Sequence, residues 1–187
     1  MTVIQELNLI SLYNMKLTIL MATSIDGVIG EDDSQISTDW TSAADKKSFV
    51  TETKKHGVII MGNSTFKTIG RPLPGRLNFI LTSDPEKYQD KVQPGILEFF
   101  KGNPEEVIKE LENRGFESAI LGGGARTNAS FLKDKLVDEI VINIHPIIFG
   151  QGLRITEGTE LNQKLELLEV NDIGDQTVQL KYKVLND

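Results

Sequence analysis

Residues 16–24 read K-L-T-I-L-M-A-T-S, an almost unbroken apolar run that stops at the turn pair Asp26-Gly27. A strand that is apolar on both faces has to be covered on both, which is the position of an interior strand in a parallel sheet. The pattern recurs at 58–61 (V-I-I-M), 77–82, 96–100, 118–121 and 137–144. Between these runs lie helical segments. One starts at a Thr41 or Ser42 cap and runs to Lys55, stopped by His56-Gly57; a short one opens at Gly62-Asn63-Ser64-Thr65 and ends at Gly70. A third starts at Pro104, with Glu105 and Glu106 in its first turn, and ends at Gly115, and a fourth covers 125–133. Capping hydroxyls, a proline at the first position and acids near the N-terminus are what such starts require. Alternation of strand and helix predicts an α/β fold with a mostly parallel sheet, and the pair 165–170 and 177–184, around a turn at 172–175, predicts an antiparallel finish. With 187 residues and no repeat or linker, the chain reads as one domain over 15–187, preceded by an extension at 1–14.

The chain has no cysteine, which removes disulfides, thiolate nucleophiles and cysteine-based zinc sites. Twenty basic and 27 acidic residues give a net charge of −7, which argues against nucleic acid and anionic membranes as partners. No apolar run reaches the ~18 residues of a membrane span, and the start of the chain lacks the basic and small-residue features of a signal peptide. A cytoplasmic protein is expected.

Three strand-to-loop junctions carry glycine: Asp26-Gly27…Gly30, Gly62 to Thr65, and Leu121-Gly122-Gly123-Gly124-Ala125. Ligands of open α/β sheets sit beyond the carboxyl ends of the strands, where glycine lets backbone N–H groups and a helix N-terminus approach a phosphate. Each glycine also has a plainer reading as a tight turn. The G-x-G-x-x-G and G-x-x-x-x-G-K-[ST] patterns are absent, so neither an ordinary Rossmann site nor a P-loop is present. His56 and His145 are the two histidines, and His145, before Pro146 at a strand end, reads as structural. Asp32-Asp33 reads as a solvated loop, and no metal site is expected. Asp45, at a helix start with Phe49 one turn later, is placed either to complement the helix dipole or to hold a protonated heteroaromatic ring.

Five stretches resemble dihydrofolate reductase in order and spacing: A-T-S-I-D-G-V-I-G (22–30), Trp40 before Asp45, V-I-I-M-G-N-S-T-F (58–66), I-G-R-P-L-P-G-R (69–76) and L-G-G-G (121–124). The segment L-V-D-E-I-V-I-N-I-H-P-I-I-F-G-Q-G (136–152) and W-T-S (40–42) are more similar to the reductase domain of riboflavin-biosynthesis deaminase–reductases, which shares that fold. The resemblance implies a dihydrofolate reductase-like three-layer α/β/α architecture. It implies Asp45 as the catalytic carboxylate that binds the amino-pyrimidine edge and promotes ring protonation. Leu20, Ala22, Phe49, Ile69 and Leu73 would surround the substrate, and Arg76 would pair with its carboxylate. Ala22, Ile29, Gly30 and Trp40 would line the nicotinamide of NADPH, under a loop at 31–39. Gly62, Asn63, Ser64 and Thr65, Thr82 and Ser83, and the run Leu121, Gly122, Gly123, Gly124, Ala125, Arg126 and Thr127 would hold the rest of the cofactor.

Two departures matter. Asn63 stands where the family has a basic residue for the 2′-phosphate, so NADH stays open beside NADPH. Asn143 stands where a threonine commonly supports the carboxylate. The reading that follows is NADPH-dependent reduction of dihydrofolate, with reduction of a ribosylated, phosphorylated aminopyrimidine as the alternative. Pterin or pyrimidine is the expected small-molecule partner, in a monomer or homodimer.

Overall fold

The computed structural model describes residues 14–32 and 34–186. Strands β1 (Lys16–Ser24) and β2 (Val28–Gly30) lead through a 3₁₀ turn at Ser37–Asp39 into α1 (Ala43–His56). Then come β3 (Val58–Gly62), α2 (Asn63–Ile69), β4 (Leu77–Leu81), a 3₁₀ segment Glu86–Lys91 and β5 (Leu97–Phe100). After α3 (Pro104–Asn113), β6 (Ser118–Leu121) and α4 (Ala125–Lys133) the chain closes with β7 (Glu139–His145), β8 (Leu153–Arg154), β9 (Lys164–Asp172) and β10 (Val178–Leu185).

The main sheet has the order β5-β4-β3-β6-β1-β7-β10-β9. Neighbours from β5 to β7 are all parallel, and β10 is antiparallel to both β7 and β9. This is the mixed, mostly parallel sheet read from the sequence. Two apolar layers explain why the strands have no polar face. Leu17, Ile19, Val58, Ile60 and Leu121 point toward Val107, Ile108 and Leu111 of α3 and Phe131 and Leu132 of α4. Leu20, Ile59, Met61 and Ile120 face the other way, against Phe49 of α1 and Phe66 of α2.

Helix ends follow their local chemistry. Ser42 caps α1 by accepting from the Asp45 N–H at 3.1 Å, and Gly57 closes it in the left-handed region at φ 74°. Asn103 and Glu106 form a reciprocal capping box at the start of α3. The extension expected at 1–14 lies, except for Asn14, outside the described residues. Asn14 and Met15 donate their backbone N–H groups to Glu112 Oε1 at 2.6 and 2.9 Å, which ties the start of β1 to α3. Sequence periodicity did not reveal β8, which is two residues long and pairs with β2. Among the described residues no helix is long and apolar enough to cross a membrane.

Candidate active site

A cleft of about 720 Å³ opens at the carboxyl ends of β1, β3, β4 and β6. Its floor at one end is Asp45. The helix start places this side chain inward, so that it is only 7% exposed. β7 brings Asn143 beneath it, and Asn143 Nδ2 donates to Asp45 Oδ1 at 2.5 Å. Asn143 is in register with Ala22 of β1 on one side and Gln179 of β10 on the other. Gln179 Nε2 in turn donates to Asn143 Oδ1 at 3.0 Å. A buried carboxylate with one oxygen fixed from behind has its other lone pairs left for a ligand.

Arg76 lies at the same end of the cleft and is buried. Its guanidinium donates to Pro74 O at 3.0 and 3.2 Å and to Thr53 Oγ1 of α1. Among the described residues no carboxylate is within ion-pair distance of it. Burial pulls its pKa below the usual guanidinium value. An unpaired buried cation facing a cleft is built to receive an anion. Lys46 and Arg71, which sequence reasoning passed over, line the same cleft. Asn78, fully buried on β4, holds the 71–76 turn: its Oδ1 accepts from Leu73 N at 2.8 Å, and its Nδ2 donates to Leu73 O, Arg76 O and Ile96 O at 2.9–3.1 Å.

At the other end α2 and α4 start with glycine caps, Gly62 and Gly124, so their first N–H groups have no side-chain partner. The space between them is closed to larger residues. A Cβ on Gly62 would lie 2.6 Å from Thr127 Oγ1, and one on Gly124 would lie 3.0 Å from Thr65 Oγ1. Two helix N-termini with free N–H groups across a glycine-lined gap fit the pyrophosphate of a dinucleotide. Ile29 and Gly30 of β2, with Gln35 and Ile36 after it, line the cleft, and Gln35 Oε1 accepts from Glu31 N at 2.8 Å. Asp32 caps this loop through Ser34 N at 2.7 Å, and Asp33 lies outside the described residues.

Most residues singled out from the sequence do line this one cleft: Leu20, Ala22, Phe49, Ile69 and Leu73 around Asp45, and Asn63, Ser64, Thr82, Ser83, Gly122, Ala125 and Arg126 toward the glycine gap. Three do not. Trp40 turns its ring inward onto His145 and Phe149, at centroid distances of 5.3 and 5.4 Å, because the 3₁₀ turn before it rolls the side chain behind the loop. Leu121 is fully buried on the α3/α4 face of the sheet. Gly123 is also buried, and contributes a carbonyl that accepts from Gly62 N at 2.8 Å.

Sequence reasoning also missed His145 as a neighbour of Asp45. Its Nε2 is 3.8 Å from Asp45 Oδ1. Burial lowers the His145 pKa from the ordinary imidazole value, while the Asp45 carboxylate acts in the opposite direction.

A mostly parallel sheet with a cleft across its strand ends, lined by a buried carboxylate and a buried arginine, is the ligand-binding arrangement of an open α/β fold. Residues 73–179 match the RibD C-terminal domain, and the chain belongs to that family. It is accordingly an oxidoreductase. Its curated relatives include the uncharacterized protein YwjB of Bacillus subtilis, 24% identical over 175 residues, covering 89% of this chain and 97% of that one. Riboflavin biosynthesis protein RibD of Aquifex aeolicus is 35% identical over 98 residues, covering 50% of this chain but only 27% of that protein. Dihydrofolate reductase of Haemophilus influenzae is 32% identical over 124 residues, covering 65% of this chain and 69% of that enzyme. Among solved structures, a pyrimidine reductase-like protein of Corynebacterium diphtheriae superposes with a TM-score of 0.77 at 15% identity, covering 92% of this chain and 93% of that one.

Proposed function

We propose that this chain reduces a ribosylated, phosphorylated aminopyrimidine, with NADPH as the hydride donor. The observation that carries the reading is the placement of Asp45 and Arg76 along α1. Arg76 docks on Thr53, eight residues after Asp45. At 1.5 Å per residue that separation is about 12 Å along the helix axis. A carboxylate at one end and an unpaired guanidinium at the other match a pyrimidine edge and a ribose phosphate. Membership of the RibD C-terminal domain family supports the same substrate class.

The carboxylate also discriminates between pyrimidines. A 2-amino-4-oxo ring presents two N–H donors side by side, which two acceptor lone pairs satisfy. The matching edge of a uracil ring presents one N–H between two carbonyls, and those would face the carboxylate oxygens unpaired. Asp45 therefore favours the diaminopyrimidine over the uracil form.

When bound, the dinucleotide supplies a hydride, which would reach C1 of the open-chain ribosyl imine while a proton goes to the imine nitrogen, leaving a ribitylamine. The protein's part is placement. Asp45, held by Asn143, orients the ring; Arg76 anchors the phosphate; Ile29, Gly30, Gln35 and Ile36 cover the reacting carbon and exclude water. The α2 and α4 N-termini hold the pyrophosphate. Asn63 gives the 2′-phosphate no cation, so the hydroxyls of Thr82 and Ser83 and the Arg126 guanidinium would receive it.

Dihydrofolate is the second reading, because its pterin has the same 2-amino-4-oxo edge and Phe49, Ile69 and Leu73 form an apolar wall suited to a longer aromatic substrate. There Asp45 would promote protonation of the ring nitrogen before hydride transfer. NADPH consumption with the pyrimidine ribosyl phosphate and with dihydrofolate, measured in parallel, separates the two.

A further inference from the structure

We propose that His145 is a positioning residue for Asp45: from behind the cleft its Nε2 shares a proton with the Asp45 carboxylate, so that the pair, not cleft water, keeps Asp45 in the state that binds the substrate ring. The catalytic consequence rests on the function proposed above. The pairing itself rests on geometry.

His145 is 2% exposed, and its Nε2 is buried with no hydrogen-bond partner. A buried ring nitrogen left in that state is costly, and the carboxylate oxygen Asp45 Oδ1 lies 3.8 Å from it. The other ring nitrogen is tied back toward the same helix. Nδ1 lies 3.5 Å from Thr177 Oγ1, Thr177 Oγ1 lies 3.0 Å from Ser42 Oγ, and Ser42 Oγ accepts from the Asp45 backbone N–H at 3.1 Å. Asp45, His145, Thr177 and Ser42 thus close a ring of polar contacts behind the cleft. The Trp40 edge packs on the imidazole at an interplanar angle of 86° and restrains its orientation.

The surroundings leave Asp45 as the charged partner. From α1 it is Asp45 itself that faces the imidazole, and from the turn just before β10 it is the neutral Thr177 hydroxyl. On β1, Ser24 lies opposite His145, with its hydroxyl donating to the half-buried Asp26 carboxylate at 2.6 Å. Burial lowers the His145 pKa from its ordinary value, and the Asp45 carboxylate opposes that.

The chain has two histidines, so imidazole NMR resolves both, with His56 as the internal control. In Asp45→Asn the His145 midpoint should fall by about one pH unit while that of His56 stays in place. An unchanged His145 midpoint overturns the pairing. A second readout needs no variant: ¹⁵N shifts of the wild-type imidazole at neutral pH should report the Nε2–H tautomer, and a bare Nε2 overturns the proposal. His145→Gln should then remove one ionisation from the acid limb of the kcat/KM profile, which a purely structural role would leave in place. The NMR readouts require no substrate. A shifted His145 in a chain that reduces neither the pyrimidine nor dihydrofolate supports the pair and overturns only the substrate reading, and an unshifted His145 in an active enzyme does the reverse.

Discussion

Asn143 and Asp45, 98 residues apart in the chain, meet through a 2.5 Å hydrogen bond from the amide Nδ2 to the carboxylate Oδ1. A charge-assisted bond to a buried carboxylate contributes about 1.5–3 kcal/mol. Asn143→Leu keeps the volume and removes the donor, so kcat/KM should fall by about 10- to 100-fold. Gln179→Leu acts one bond further away and should cost less. Steady-state kinetics on variants with unchanged circular dichroism would check the order.

Arg76 is the buried cation of the cleft and has its own distinct effect. Arg76→Gln should raise KM for the anionic substrate by about 10-fold or more and leave KM for the cofactor near wild type. Arg76→Lys keeps charge but loses the fork that grips Pro74 O, and should recover only part of that affinity. Equal losses for substrate and cofactor would remove the anion-anchor role.

Gly152 sets the β2–β8 contact. Its φ is 141°, and a Cβ there would lie 2.4 Å from Gly30 O and 2.6 Å from Val28 Cγ1. Both the backbone conformation and the space exclude a side chain. Gly152→Ala should therefore displace Gly30, lower stability by about 1–3 kcal/mol and weaken cofactor binding. Urea melts and equilibrium titration with NADPH measure the two effects separately.

Acid should destabilise the fold in a window set by the histidines. Burial lowers the pKa of both His56 and His145 from 6.5. Below pH 6.5 the unfolded chain takes up protons that the folded chain does not, so stability is complete above that pH and is lost as the pH falls through the lowered folded values. Asp26 and Asp32, with pKa lowered from 3.8 by hydrogen bonds to the carboxylate, lose their contribution only at lower pH. Half-buried Asp138, with its pKa raised by desolvation, works in the opposite sense. Comparing urea midpoints at pH 7.5 and 5.5, His56→Gln should show a smaller loss than wild type.

Legibility followed sequence distance. Strand β1, the Ser42 cap and the inward-facing Asp45 are local features: an apolar run, a hydroxyl three residues before the N–H it accepts from, and one helical turn. What surrounds Asp45 is not local. Asn143 was marked only by resemblance, and His145 and Gln179 carry no local signal, because register across β1, β7 and β10 brings them to the site. Trp40 was expected on the cofactor side, yet one turn of 3₁₀ helix rolled it onto His145. Leu121 and Gly123 were swept in with a glycine run whose alternate members face away from the cleft, as a strand end requires. Thr53, the hydroxyl under Arg76, reads in sequence as an ordinary helix residue.

The substrate assignment is tested most directly by NADPH oxidation with three substrates on one preparation: the diaminopyrimidine ribosyl phosphate, its uracil counterpart and dihydrofolate. The diaminopyrimidine should have the highest kcat/KM, about 10-fold or more above the uracil form, with the advantage lost in Asp45→Asn. Turnover of dihydrofolate alone, or no oxidation with any of the three, would contradict it.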